Sequence, residues 1–231
     1  MPIRLVWLFD VDGTLILTDG AAREAFSAVA RVQLGIDDDL RDISFAGRTD
    51  PGILADILGK HGRTLESGAR TAFWEATFGE MATRLVPGRG RVLPGVFELL
   101  DAIADEPSWR LALLTGNTSG MARVKLGHYR LAERFAFGAF GEEAADRNAL
   151  ACVAVARATE RFGVPPSRCV VVGDTEHDIA CARAAGARAV AVATGMRTRD
   201  ELALHAPDLV LDSFESTGPL LEWVRGIAAA P

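Results

Sequence analysis

Short, wholly apolar runs alternate along this chain with longer stretches whose apolar residues recur every three or four positions. Runs of the first kind suit strands buried on both faces of a parallel sheet, and stretches of the second kind suit helices that lay one apolar stripe against it. Six strands are predicted, at 4–9, 110–114, 135–140, 169–172, 187–192 and 209–211. Helical spacing marks 96–104, where Val96, Leu99, Leu100 and Ile103 share a face, the Ala-rich 148–162, and 177–185, which Gly186 stops. Between the first and second strands lie about a hundred residues, where an ordinary crossover needs a few tens. That interval carries helical patterns at 21–33, 51–59 and 64–85, no convincing strand, and the turn signals Pro87-Gly88 and Pro94-Gly95 at its close. The pattern therefore predicts an α/β core interrupted by a helical insert over 19–85.

With 231 residues, 49% hydrophobic and 24% charged, the chain has enough apolar material for a core of this kind. Its formal charge of −6, without a Lys/Arg run longer than two, argues against a nucleic-acid binder and matches the ordinary solubility charge of a cytoplasmic protein. Only Lys60 and Lys125 are lysines, so arginine stands wherever else a basic residue is needed. Cys152, Cys169 and Cys181 are odd in number and widely spaced; they read as small buried hydrophobes rather than a disulfide framework or zinc site. The apolar start, Pro2 to Phe9, meets Asp10 too soon for a signal peptide, and no later run is long enough to cross a membrane. A cytoplasmic location is expected, and the last residues, 228–231, are expected to fray.

Three strand ends carry candidate chemistry. The first strand runs into Asp10-Val11-Asp12-Gly13-Thr14, which delivers two carboxylates to the carboxyl edge of the sheet, where ligands bind in folds of this type. Asp10 suits attack on a phosphoryl group, and Asp12 suits protonation of the leaving oxygen and later deprotonation of water. Asp before Gly also reads as a plain Asx turn. The second strand ends in Leu114-Thr115-Gly116-Asn117-Thr118, where a hydroxyl and backbone N–H groups at a helix start offer donors to a phosphate; the same residues read equally as an N-cap. The fourth ends in Gly173-Asp174-Thr175-Glu176-His177-Asp178, so that Asp174 and Asp178 can converge on one hard cation, expected to be Mg²⁺. His177 lies among these acids, but Mg²⁺ prefers oxygen, and it is not counted as a ligand.

In this order the three motifs resemble the first, second and fourth signatures of the haloacid-dehalogenase-like hydrolase superfamily, and the likeness extends over nearly the whole chain. The helical insert is similar to the cap of its phosphoglycolate phosphatase-like and β-phosphoglucomutase-like members. The resemblance implies a Rossmann-like doubly wound parallel sheet formed by 1–18 and 86–231 and an inserted helical cap domain, 19–85. It implies Asp10 as nucleophile, Asp12 as general acid/base whose main-chain carbonyl also binds Mg²⁺, Thr115 as a phosphate ligand with Gly116 and Asn117 beside it, Asp174 as a metal ligand, and Asp178 in or just behind the metal shell. The family's third signature, a lysine about thirty residues after the Thr, is missing. Arg147 stands 32 residues after Thr115 and is the favoured substitute, because a guanidinium supplies the same fixed charge to phosphoryl oxygens. Its competitor Lys125 reads as a solvated residue over a core stripe, and Arg147 also reads as a surface residue paired with Asp146 or Glu143. In the cap, Arg48 of Phe45-Ala46-Gly47-Arg48-Thr49-Asp50 is the candidate for a second anionic group of the substrate. The expected function is a Mg²⁺-dependent phosphatase of a small phosphorylated metabolite, monomeric or homodimeric, bound to neither nucleic acid nor membrane. A sugar phosphomutase and a catalytically silent binding protein on the same fold are the alternatives.

Overall fold

β1 (Leu5–Phe9) is apolar and buried at every position, because it forms the interior of a six-stranded sheet rather than an edge. Side chains alternate across a strand, so Leu5, Trp7 and Phe9 enter the core on one face while Val6 and Leu8 enter the core on the other. The structure, a computed structural model, describes residues 2–229. After β1 come β2 (Ile16–Leu17), α1 (Ala21–Leu34), α2 (Asp50–Lys60), α3 (Ser67–Arg84), β3 (Arg91–Val92), α4 (Val96–Ala104), β4 (Trp109–Thr115) and α5 (Ser119–His128). The chain continues through β5 (Gly138–Phe140), α6 (Arg147–Phe162), β6 (Cys169–Gly173), α7 (Glu176–Ala184), β7 (Arg188–Val192), α8 (Arg199–Ala203), β8 (Leu209–Leu211) and α9 (Gly218–Ala229).

The main sheet is wholly parallel, in the order β5-β4-β1-β6-β7-β8. Leu99 and Leu100 of α4 and Leu220 and Val224 of α9 cover one face; Leu150 and Ala154 of α6 and Ile179 of α7 cover the other. Helices on both faces make this the doubly wound α/β fold expected. Strand order reverses at β1, which opens a crevice at its carboxyl end between β4 and β6.

Between β2 and β3 the chain is helical, and α1 to α3 enclose a core of their own around Phe26, whose ring meets Phe45, Phe73 and Trp74 edge-on. Met121 of α5 joins that cluster and ties it to the sheet domain. The sequence pattern missed β2 and β3, a two-residue antiparallel ribbon pairing Ile16 with Val92 and Leu17 with Arg91 at the two ends of the helical stretch, which is too short to show a period. It also overextended the strand at 135–140, since a 3₁₀ turn at Ala132–Arg134 delays β5 to Gly138.

Cys169 and Cys181 are buried, but Cys152 is exposed: it lies on the outer face of α6, whose Leu150, Ala151 and Ala154 face the sheet. Of the tail expected to fray, Ala228 and Ala229 belong to α9, and residues 230 and 231 lie outside the described residues. Among the described residues no helix is long and apolar enough to cross a membrane.

Candidate active site

Parallel pairing continues one residue past β1, because the Asp10 N–H donates to the Val172 carbonyl at 3.0 Å, and this fixes Asp10 beside the end of β6. Three residues on, Gly13 turns the chain with a φ of +85°. A Cβ there would collide with the Asp174 carboxylate, so the close approach of the two strand ends requires glycine. Asp174 leaves β6 into this gap, and Thr14 donates to its Oδ1 at 3.3 Å. Asp178, in the first turn of α7, accepts at Oδ2 from the Thr175 N–H (3.1 Å) and hydroxyl (2.7 Å). Carboxylate oxygens of Asp10, Asp174 and Asp178 thus lie within 4.8 Å of one another, all buried.

Such crowding out of water disfavours the charged forms. Burial lifts Asp10 to about 6, with Arg147 opposing and Asp178 and Asp12 adding to the rise. Burial lifts Asp174 further, to about 8, reinforced by Asp178 and Asp10. Hard oxygen donors that hold excess negative charge in a dry site fit a divalent cation of the Mg²⁺ type.

One cation of the chain already sits against the cluster. Arg147 opens α6, is 8% exposed, places Nη2 2.9 Å from Asp10 Oδ1 and bonds Asp178 Oδ1 as well. Burial works against its charge, yet Asp178 and Asp10 hold it well above the ordinary arginine value. The surface pairings open to it in the sequence are taken up elsewhere: Asp146 caps α6 by accepting from the Ala149 N–H, and Glu143 pairs with Arg157. The Arg147 Nε is buried without a hydrogen-bond partner, a donor left over beside Asp10.

Asp12 lies apart from the carboxylate cluster. Its Oδ2 accepts from Lys125 Nζ at 2.6 Å and from Asn117 Nδ2 at 2.7 Å. Lys125 is therefore not a solvated residue, as its position on α5 suggested, but 2% exposed, and its Nζ also donates to Asn117 Oδ1 at 2.6 Å. The helical period places Lys125 on the same face as the buried Met121 and Ala122, and only the fold shows that this face looks onto Asp12. Asn117 was expected among the phosphate ligands. Its amide is instead engaged with Asp12 and with Thr115 Oγ1 (2.8 Å), and its N–H also donates to Thr115 Oγ1 (3.2 Å). Thr115 is fully buried at the end of β4, and Gly116 follows it on the cavity wall.

These groups form the floor of a cavity of about 430 Å³, which the helical segment roofs with Arg23, Phe45, Arg48, Asp50 and Ile53. Arg48 is on this wall as expected, but it pairs with Asp56 of α2 at 2.5 Å. Arg23, which the sequence did not single out, is held by the Leu40 and Ile43 carbonyls with its guanidinium over the Phe45 ring. His177 packs beside Gly47 on the far side of the same loop, in a second hollow that also touches Arg147.

Comparisons with known proteins give the family. Residues 148–217, which include Asp174 and Asp178, match a family model described as HAD-hydrolase-like. CbbY of Rhodobacter capsulatus is 31% identical over 195 residues, 79% of this chain and 82% of that protein. A phosphoglycolate phosphatase of Agrobacterium fabrum is 26% identical over 95% of this chain and 93% of its own length. Among solved structures, a variant CbbY from Rhodobacter sphaeroides in complex with xylulose 1,5-bisphosphate superposes with a TM-score of 0.70 at 26% identity, covering 94% of this chain and 97% of that one. The chain belongs to the haloacid-dehalogenase-like hydrolases, in their phosphoglycolate phosphatase-like and β-phosphoglucomutase-like group, and acts on phosphate esters.

Proposed function

We propose that this enzyme is a Mg²⁺-dependent phosphatase of a small phosphorylated metabolite that works through an aspartyl-phosphate on Asp10. The observation that carries the reading is the buried cluster of Asp10, Asp174 and Asp178, faced by Arg147, at the floor of a cavity open to a small ligand. Asp10 and Asp174 hold the cation, which when bound supplies positive charge against the phosphoryl oxygens and the nucleophile. Asp178 stands behind them, its oxygens engaged by Arg147 and Thr175, and it orients the guanidinium.

A carboxylate oxygen of Asp10 attacks phosphorus as the bond to the leaving oxygen breaks. Asp12 gives that oxygen a proton. The bonds from Lys125 and Asn117 both fall on Asp12 Oδ2, which leaves Oδ1 as the oxygen that carries the proton. Asp12 then takes a proton from water, whose oxygen attacks phosphorus and breaks the Asp10–phosphate bond, releasing inorganic phosphate. Arg147 and the Thr115–Gly116 turn, all on the cavity wall, offer the guanidinium and N–H and O–H donors to the phosphoryl oxygens. The helical segment, 19–85, acts as a cap on the sheet domain formed by 1–18 and 86–231, and its closure keeps bulk water from the transfer.

The test is phosphate release from p-nitrophenyl phosphate with and without Mg²⁺, followed by a panel of phosphorylated metabolites. Activity that needs Mg²⁺ and vanishes in Asp10→Asn is expected. Conversion of a hexose 1-phosphate to its 6-phosphate without phosphate release would replace the phosphatase by a phosphomutase, and no turnover of any ester would overturn both.

A further inference from the structure

We infer that Asp50 is a positioning residue, a carboxylate of the helical segment that clamps the loop 115–118 and so sets the first turn of α5 beneath the substrate. Asp50 is 6% exposed, at the first position of α2, and its Oδ2 accepts from the Thr118 N–H at 2.7 Å and from the Thr118 hydroxyl at 3.2 Å. Its own N–H donates to the Gly116 carbonyl at 2.7 Å. The two segments lie so close that a Cβ on Gly116 would collide with the Arg48 carbonyl, which makes glycine obligatory there. On the other side the Gly141 N–H donates to the Asn117 carbonyl at 2.8 Å, so the loop is held between the helical segment and the turn after β5.

The clamp reaches the chemistry through Thr118. This residue caps α5, its hydroxyl accepting from the Met121 N–H while donating to Asp50, so Asp50 selects the hydroxyl orientation that caps the helix. α5 in turn carries Lys125, which bonds Asp12 and Asn117. A carboxylate supplied by the helical segment therefore completes the N-terminus of the helix that holds the acid/base group in place. Removing it leaves the Thr118 N–H and hydroxyl without their acceptor and loosens Asn117 and Lys125 together. Burial pushes Asp50 up to about 6, opposed by the charge of Lys125 and by the hydrogen bonds from Thr118.

The inference rests on the proposed reading in which Thr115 and Gly116 face the phosphoryl group and Asp12 is the acid/base. Its test uses the full chain with Mg²⁺ and p-nitrophenyl phosphate. Asp50→Ala is expected to lower kcat/KM by about ten- to a hundredfold, the loss of hydrogen bonds to a charged group, with both kcat and KM affected. Asp50→Asn, whose amide oxygen accepts the same two bonds, is expected to return to within about threefold of the parent. Should the Ala variant fail to fold, Asp50→Ser keeps a polar residue at the start of α2 but falls short of Thr118, and carries the same expectation. A folded Ala or Ser variant with parental kcat/KM overturns the inference, as does an Asn variant no better than Ala. Asp10→Asn, measured alongside, separates the two ideas: if it stays active, the reading of the site fails, whereas an inactive Asp10→Asn beside a fully active Asp50→Ala sinks the clamp alone.

Discussion

Replacing Arg147 by Met removes a buried guanidinium while nearly keeping its length, so the effect is chiefly electrostatic. In the parent, Nη2 lies 2.9 Å from Asp10 and also bonds Asp178, with 8% of the residue exposed. Truncating one partner of a buried ion pair costs about 3–5 kcal/mol, because the remaining charges stay buried and unpaired. At about 2–4 °C per kcal/mol for a chain of this size, the metal-free variant should melt about 6–20 °C lower. Added Mg²⁺ should recover part of that loss by supplying another charge to the same carboxylates. In turnover, deleting one preorganised donor aimed at a developing oxyanion costs about 3–4 kcal/mol, which lowers kcat by about 10²–10³. Calorimetric melting with and without Mg²⁺ and steady-state hydrolysis of p-nitrophenyl phosphate measure the two effects on one preparation. An Arg147→Met variant with parental kcat beside an inactive Lys125→Met variant would refute the reasoning and give the third-signature role to Lys125.

Lys125→Met itself should act on Asp12: kcat falls while the phosphoryl-enzyme still forms, so rapid-quench measurement should show a burst of p-nitrophenol ahead of slow turnover, and a variant that never forms the phosphoryl-enzyme would contradict this. The metal-free protein should lose stability as pH rises, because Asp10 and Asp174 sit at about 6 and about 8 when folded and return to 3.8 when unfolded. The native state then holds the extra protons across that window, and the stabilisation, complete below the unfolded value, is lost as pH passes about 6 and then about 8. Melting temperatures recorded over this range should fall without Mg²⁺ and level out with it; a metal-free curve that rises with pH would contradict the assignment. Gly116→Ala should abolish activity in a folded protein, since its Cβ meets the Arg48 carbonyl and forces the helical segment off the loop. Small-angle scattering should show that variant expanded, and an unchanged profile with full activity would count against the close approach.

The parallel sheet and its three chemistry-bearing ends were readable because each buried strand is a continuous apolar run that stops at a short motif of acids or hydroxyls. The family resemblance pointed to Arg147 beside Asp10 through its distance after Thr115, but its contacts with Asp10 and with Asp178 depend on α6 starting beside α7, which no local pattern encodes. Lys125 was misread for the complementary reason. Its helix has a weakly defined apolar face, and a lysine there looks solvated until the strand end bearing Asp12 is packed against it. Asp50 and Arg23 left no signal at all, since a helix-start aspartate and one arginine among many acquire meaning only when the helical segment closes over the sheet edge.

The central claim is that phosphate is carried on Asp10. Brief incubation with a phosphate ester, acid quenching and peptide mass spectrometry should find the phosphoryl group on the peptide that contains Asp10 in the parent, and none in Asp10→Asn. A phosphoryl group found elsewhere, or full turnover in the Asp10→Asn protein, would contradict the account.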